Sequence, residues 1–213
     1  MIIVKDLKGL NRKPDFIILT GDGKWEYKVL KGLAKKYPCN RADLILFYPE
    51  SPLVLKKGKS IYEAVSVYVD RYKVYKFLVL YDNEYHKNFN EDLEILKKEV
   101  GIKIKNYKII KDRILYVSGK LGSHDIEIYT SVQGYSKSGE RKGLNEEIAK
   151  LIKLKFGVNV SNDHKEIKRF LKSQNMDITK LIESSGDRYL KKAITLYIVL
   201  KMICKNFIRI ISR

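Results

Sequence analysis

The residues with the clearest potential for chemistry are two carboxylates, Asp82 and Glu84, which directly follow an apolar run at 77–81. This run is long enough for a buried strand and too short for a helix of a globular protein. In an open α/β sheet, the ends of the strands border the crevice in which ligands bind. The chain has a formal net charge of +18, so a pair of acids at such a place needs an explanation. A divalent metal ion that holds a phosphate group would provide one.

A second pair of acids, Asp22 and Glu26, follows another apolar run at 16–20. If both runs are strands of a parallel sheet, both acidic segments lie at the same edge. Neighbouring strands are about 5 Å apart, so carboxylates from two strand ends can share one metal ion. Oxygen ligands without a nearby Cys or an evident His favour Mg²⁺ or Mn²⁺. His86 could assist the metal or a leaving group, although such a histidine is more often a polar loop residue.

The elements that would position these acids alternate between strands and helices. Apolar runs and helical periodicity predict strands at 16–20, 44–48 and 77–81, and helices at 25–37, from Ser60 and from Asn90. Glu63 follows Ser60 at the spacing of a capping box, and Gly101 ends the third helix. Continuous apolar strands that alternate with amphipathic helices imply a parallel sheet with helices on both faces.

The pattern changes after Gly101. Two further strands are predicted at 107–117 and 125–132, and the loop between them would make a β-hairpin extension of the sheet. A polar, glycine-containing segment at 135–143 predicts a surface loop. The remaining periodicity predicts helices at 145–156, 163–173, 178–184 and 188–211. The sequence thus predicts an α/β domain with a hairpin at 1–134 and a basic C-terminal helical region at 143–213.

The two acidic segments resemble the motifs of the Toprim domain of topoisomerases, primases and OLD-type nucleases. In that family a strand is followed by Glu-Gly-Lys-Thr-Asp, and a later apolar strand ends in Asp-x-Asp. This chain has Asp22-Gly23-Lys24-Trp25-Glu26 and Asp82-Asn83-Glu84, within a resemblance that spans about half of the chain. The resemblance implies a Toprim-like sheet, with Asp22 as general acid/base and metal partner and with Asp82 and Glu84 as metal ligands. Each substitution preserves charge but changes the reach of the side chain.

The function implied by this resemblance is metal-dependent phosphodiester chemistry on nucleic acid, most directly cleavage by a Toprim-type nuclease. Asp82 and Glu84 would hold Mg²⁺ or Mn²⁺, and Asp22 would be a ligand or general base. Glu26 would be an added ligand, or it would support the ligands from behind them. A second hypothesis is a non-catalytic nucleic-acid-binding or adaptor protein on a degenerate Toprim scaffold. It stays open because a fold does not define a function and the substitutions lie at the functional positions.

The charge balance favours a polyanionic partner. The chain has 43 Lys and Arg residues against 25 Asp and Glu residues, and such an excess attracts nucleic acid first and an anionic membrane second. A dense charged surface is also typical of hyperthermophile proteins, although that explanation predicts a more even number of acids. The residues predicted to contact nucleic acid are Lys24, Lys137, Arg141, Lys142, Lys201, Lys205 and Arg209.

Cysteine usage and hydropathy bear on the location of the protein. Cys39 and Cys204 lie far apart without a Cys or His at metal-ligand spacing, which disfavours a disulfide framework and a zinc site. A reducing cytoplasm is the simplest expectation. The apolar start of the chain is too short for a signal peptide, and the run at 194–200 falls below the ~20 residues of a membrane span. We therefore expect a cytoplasmic protein without a membrane span, and the oligomeric state stays open.

Overall fold

A mixed β-sheet organises the chain, and helices lie on both of its faces. The computed structural model describes residues 1–20, 23–36, 44–49, 58–135 and 143–211, with side chains except at 58–60 and 205–211. Its strands are β1 (Ile2–Val4), β2 (Phe16–Leu19), β3 (Ile45–Phe47), β4 (Lys76–Asp82), β5 (Lys103–Ile110), β6 (Ile114–Leu121) and β7 (His124–Gln133). They lie in the order β1-β3-β2-β4-β7-β6-β5. The first five strands in this order, β1, β3, β2, β4 and β7, pair in parallel. The last three, β7, β6 and β5, pair antiparallel as consecutive hairpins.

The helices divide between the two faces of the sheet. The described residues form α1 (Lys24–Lys36), α2 (Ala64–Tyr72), α3 (Phe89–Lys98), α4 (Gly143–Phe156), α5 (His164–Ser173), α6 (Ile178–Glu183), α7 (Asp187–Ala193) and α8 (Thr195–Ile211). One hydrophobic core lies between one face of the sheet and the helices α1, α4, α5, α6, α7 and α8. A second core lies between the other face of the sheet and the helices α2 and α3. Successive strand residues take opposite faces, so Ile18 of β2 belongs to the first core and Ile17 to the second. Described residues of both predicted ranges, 1–134 and 143–213, therefore contribute to the first core.

The predicted fold class is confirmed. The protein is an α/β protein with a parallel sheet flanked by helices, a β-hairpin extension and a C-terminal helical region. The first and third predicted strands, β2 and β4, are adjacent and parallel, with Leu19 opposite Val79. Apolar residues on both faces of these strands must be covered from both sides, which is the physical reason that the sequence pattern predicts this layered arrangement.

The hairpin region differs from the prediction in its first strand. The predicted strand at 107–117 is divided between β5 and β6 by a tight turn. Lys111 and Asp112 at the centre of this turn have φ angles of 52° and 50°, and the Arg113 amide donates to the Ile110 carbonyl. Glycine or asparagine usually occupies such positive-φ positions in hairpins. Only Asp112 is of a type enriched at positive φ, so the sequence carried a weak signal for the turn.

Two predicted helix starts and one predicted helix are also corrected. α2 begins at Ala64 after a 3₁₀ turn, Gly58–Glu63, and the Glu63 side chain makes no capping hydrogen bond. α3 is capped by Asn88, whose side chain accepts from the Glu91 amide at 2.9 Å, and not by Asn90. The predicted helix at 188–211 is two helices, because Ile194 between α7 and α8 has an extended backbone.

The cysteine expectation is also corrected. Cys204 on α8 is disulfide-bonded, and the second cysteine of the chain, Cys39, lies outside the described residues. Disulfides are rare in cytosolic proteins, with hyperthermophile proteins as the main exception. None of the described helices has the length and apolar character that a bilayer crossing requires.

Gly32 on α1 allows this helix to contact α6 closely. A Cβ atom added at Gly32 would lie 2.8 Å from the Thr179 carbonyl oxygen and from the Ile182 Cβ atom. Gly32→Ala should therefore push the helices apart and lower the free energy of unfolding by about 1–3 kcal/mol, despite the roughly 1 kcal/mol higher helix propensity of alanine. Urea denaturation measures this change. Gly186→Ala is the control, because its added Cβ atom meets its nearest neighbour at 4.0 Å, and equal stability of the two variants would contradict the close contact.

Candidate functional site

The carboxyl ends of three neighbouring parallel strands bring polar residues to one edge of the sheet. Thr20 follows β2, Asp82 ends β4 and Gln133 ends β7. β4 pairs in parallel with both β2 and β7, and Asp82 lies opposite Gln133 in the register. We refer to Thr20, Asp82 and Gln133 as the strand-end site. Its position agrees with the general placement of ligand sites at the carboxyl ends of strands in open α/β sheets.

Asp82 is half-buried and its carboxylate lies directly against the first residue of α4. A Cβ atom added at Gly143 would overlap the Asp82 Oδ1 atom, so only glycine leaves room for the carboxylate at this distance. The amides at the start of a helix carry partial positive charge, which favours a carboxylate there. The Asp82 carboxylate therefore lies against the start of α4, where glycine leaves room for it.

Gln133 is a polar residue of this edge that the sequence did not reveal. Its side chain is fully buried, and within the described part of the chain neither its Oε1 atom nor its Nε2 atom has a hydrogen-bond partner. The Oγ atom of Ser131, two residues earlier on the same side of β7, also lacks a described partner. Buried polar atoms of this kind cost about 1–3 kcal/mol each and are commonly satisfied by water or an ion. The predicted strand ended at residue 132, one residue before Gln133, and nothing in the local sequence distinguished this glutamine.

The predicted metal ligands have different positions. Asp22 lies outside the described residues. Glu84 is exposed in a 3₁₀ turn, Asn83–Tyr85, that directly follows β4, whereas Glu26 is buried in the first turn of α1. Within the described ranges, no group of three or more His, Cys, Asp or Glu side chains is placed to hold a metal ion. The ligand set with Asp22 therefore stays a prediction.

The predicted nucleic-acid contacts are only partly described. Lys24 is exposed at the first residue of α1. Lys201 on α8 is half-buried, and its Nζ atom lies 5.9 Å from the centre of the Tyr197 ring. The remaining predicted contacts lie outside the described residues or side chains, namely Lys137, Arg141, Lys142, Lys205 and Arg209.

His86 is held on the opposite face of the sheet from Asp82. Its Nε2 atom lies 3.1 Å from the Asp92 Oδ2 atom, and its ring packs against Phe89 at 4.5 Å between ring centres. Phe89 and Tyr81 belong to the core under α2 and α3. Asp82 follows Tyr81 in the strand and so points to the other face. His86 therefore serves the packing of α3 and does not face the strand-end site.

A second polar cluster adjoins the strand-end site through Gly134. Glu147 on α4 is fully buried, and its Oε1 atom accepts hydrogen bonds from Thr195 Oγ1 at 2.5 Å and from Arg113 NH1 and the Gly134 amide at 3.3 Å. Its Oε2 atom accepts from the Thr195 amide at 2.9 Å. Burial raises the pKa of the Glu147 carboxyl, and the hydrogen bonds from Thr195 and the charge of Arg113 partly oppose this rise. One carboxylate thus joins the end of β7, the β5–β6 turn, α4 and the start of α8.

The fold and the strand-end site define a general class, an α/β protein with polar residues at the carboxyl edge of its parallel strands. Comparison with family models, with curated proteins and with solved structures yields no match to this chain. A function for this protein is therefore proposed from the geometry of the strand-end site and from the distribution of charge.

Proposed function

We propose that the protein carries out metal-dependent phosphodiester chemistry on nucleic acid, most directly cleavage, at the strand-end site. The observation that carries this proposal is the parallel pairing of β2 with β4, in which Leu19 lies opposite Val79. The strand of the first acidic segment and the strand of Asp82 therefore end at the same edge of the sheet. This arrangement supports the resemblance to Toprim domains on which the proposed activity rests.

Two described residues of the strand-end site carry oxygen donors of the kind that a hard divalent cation binds. Asp82 offers carboxylate oxygens, and the buried Oε1 atom of Gln133 lacks a described partner, so both are oxygen donors suited to Mg²⁺ or Mn²⁺. Asp22 and Glu84 would complete the ligand set. A metal ion bound there would polarise a phosphate and stabilise the charge that develops during cleavage.

The chain itself supplies positive potential for the phosphate at this edge. α1 begins at Lys24, shortly after β2, and α4 begins beside Asp82. The starts of helices present unpaired amides and a partial positive charge that favour phosphate groups. Gly143 leaves room for the Asp82 carboxylate beside the start of α4.

Cleavage and metal binding by the wild-type protein test this proposal. Labelled single- and double-stranded DNA and RNA are incubated with the protein in the presence of Mg²⁺ or Mn²⁺, and in a chelator as control. We expect cleavage of at least one substrate that depends on the metal, together with Mn²⁺ binding seen by electron paramagnetic resonance. Folded protein that binds these substrates and cuts none of them with any divalent metal would overturn the proposed activity.

A non-catalytic nucleic-acid-binding protein is the second candidate, and the position of Asp82 favours it. The start of α4 gives this carboxylate a structural partner that requires no metal ion. In the same experiments this candidate predicts metal-independent binding without cleavage and no specific Mn²⁺ signal.

A further inference from the structure

A small basic cavity lies where the β5–β6 turn meets the junction of α7 and α8. Its volume is about 90 Å³, and the residues that border it include Lys111, Arg113, Lys191 and Lys192 beside Tyr135. No carboxylate is among the residues that line it. A cavity with four cations and no acid is suited to an oxyanion.

A second, larger cavity lies on the other side of Tyr135. Its volume is about 410 Å³, and Lys150 and Lys153 of α4 line it together with Asn159 and Asn162. The carboxylate in its lining, Glu146, accepts a hydrogen bond from the Tyr135 amide at 2.5 Å. Cationic and amide side chains thus continue the basic character of the first cavity across Tyr135.

Tyr135 is fixed between the two cavities by contacts on its ring and its hydroxyl group. The Arg113 guanidinium lies 3.8 Å from the ring centre and the Lys150 Nζ atom lies 3.6 Å from it. Two cations this close to the ring centre would collide on one face, so they cover opposite faces. The hydroxyl group donates to the Ala193 carbonyl at 2.6 Å. The ring therefore separates the cavities and is not free to stack on a base.

Six basic residues border the two cavities, whereas the acids beside them are Glu146 and the Glu147 carboxylate that pairs with Arg113. Within the described residues, the lysines that line the two cavities form no ion pair, and the NH2 atom of Arg113 has no hydrogen-bond partner. Burial lowers the pKa of Lys150, and the charge of Arg113 lowers it further. Bound anions would relieve this crowding of like charges.

We infer that the two cavities beside Tyr135 bind backbone phosphates of a nucleic acid strand. The choice of polymer rests on the proposed function, whereas the binding site is separate from Asp82 and requires no metal ion. A strand offers phosphates at regular spacing, and clusters of basic side chains bind such strands through these phosphates. A membrane surface is less suited, because none of the exposed large hydrophobic side chains of the described residues lines either cavity and membrane-binding faces combine basic with exposed apolar residues.

The double variant Lys111→Gln/Lys192→Gln tests this inference in the full chain. Both lysines are exposed and lack a described ion pair, so the protein should stay folded. We expect affinity for a labelled oligonucleotide, measured in chelator, to fall by about tenfold or more, and the slope of log affinity against log salt to decrease by about two. The matched control, Lys103→Gln/Lys172→Gln, neutralises two exposed lysines outside both cavities and should retain affinity and slope.

The outcomes separate this inference from the proposed activity. Asp82→Asn should keep wild-type affinity in chelator even if it cannot cleave, because the cavities do not include Asp82. Loss of binding confined to the double variant supports the inference whether or not any variant cuts. Equal affinity of the double variant and the control overturns it. Wild-type binding to vesicles of phosphatidylserine and phosphatidylcholine, without binding to oligonucleotides, also overturns it and identifies a membrane-facing surface.

Discussion

Asp82→Asn should lower metal-dependent cleavage by roughly a thousandfold, the effect expected when one preorganised charge-stabilising group is lost. The substitution removes the charge that a divalent ion requires while preserving the size of the side chain. Oligonucleotide binding in chelator should persist, since a negative charge near the phosphate is removed. Single-turnover cleavage of a labelled oligonucleotide measures the first effect, and fluorescence anisotropy measures the second.

The stability of the Asp82→Asn variant has to be measured beside its activity. The Asp82 carboxylate lies beside the start of α4. A carboxylate near a helix start contributes about 0.3–1 kcal/mol to the free energy of unfolding. The melting temperature should therefore fall slightly. Asp125→Asn is the matched control, because it neutralises an exposed carboxylate at the opposite end of β7 that pairs with Lys105. A folded Asp82→Asn variant that cuts at the wild-type rate would contradict the assignment.

Gly143→Ala tests the position of the Asp82 carboxylate without changing its charge. The added methyl group would overlap the carboxylate, so Asp82 must move away from the start of α4. We expect cleavage to fall while oligonucleotide binding in chelator persists. Wild-type cleavage by Gly143→Ala would show that the contact with α4 is not needed for activity.

Glu147→Gln should lower the free energy of unfolding by about 3–5 kcal/mol, because it leaves the Arg113 guanidinium without its buried counter-charge. The amide would also place a donor beside the Thr195 amide or beside Thr195 Oγ1, where the carboxylate now accepts. Urea denaturation at constant pH measures the change. Glu94→Gln, at an exposed carboxylate that pairs with Lys98, is the control and should change stability little.

A double variant distinguishes loss of the ion pair from a general defect in packing. Glu147→Met/Arg113→Met removes both charges together, so it should be more stable than Glu147→Gln despite two large changes. The single variant Arg113→Met gives the cost of the second substitution alone. If the double variant is less stable than Glu147→Gln by this full amount, the two charges are not coupled. Wild-type stability of Glu147→Gln would show that the buried carboxylate contributes no net stability.

Much of the fold followed from local patterns in the sequence. Continuous apolar runs at 77–81 and 16–20 required strands buried on both faces, and amphipathic segments between them supplied the covering helices. Two acidic segments after such strands pointed to one edge of a parallel sheet, and the pairing of β2 with β4 agrees with this. These features depend on residues that are close in sequence, so periodicity alone could indicate them.

Other features depended on contacts between distant residues, and only the tertiary structure decided them. Gln133 lies beside Asp82 because β7 returns to pair with β4, and Glu147 meets Arg113 and Thr195 from elements far apart in the chain. Tyr135 separates two basic cavities only because α4 and the α7–α8 junction pack around it. The sequence by itself determined the alternation of strands and helices, and it placed Asp82 at the carboxyl end of a buried strand. The partners of Asp82 and Glu147 were decided by packing, because burial and hydrogen bonding act between residues that no local pattern connects.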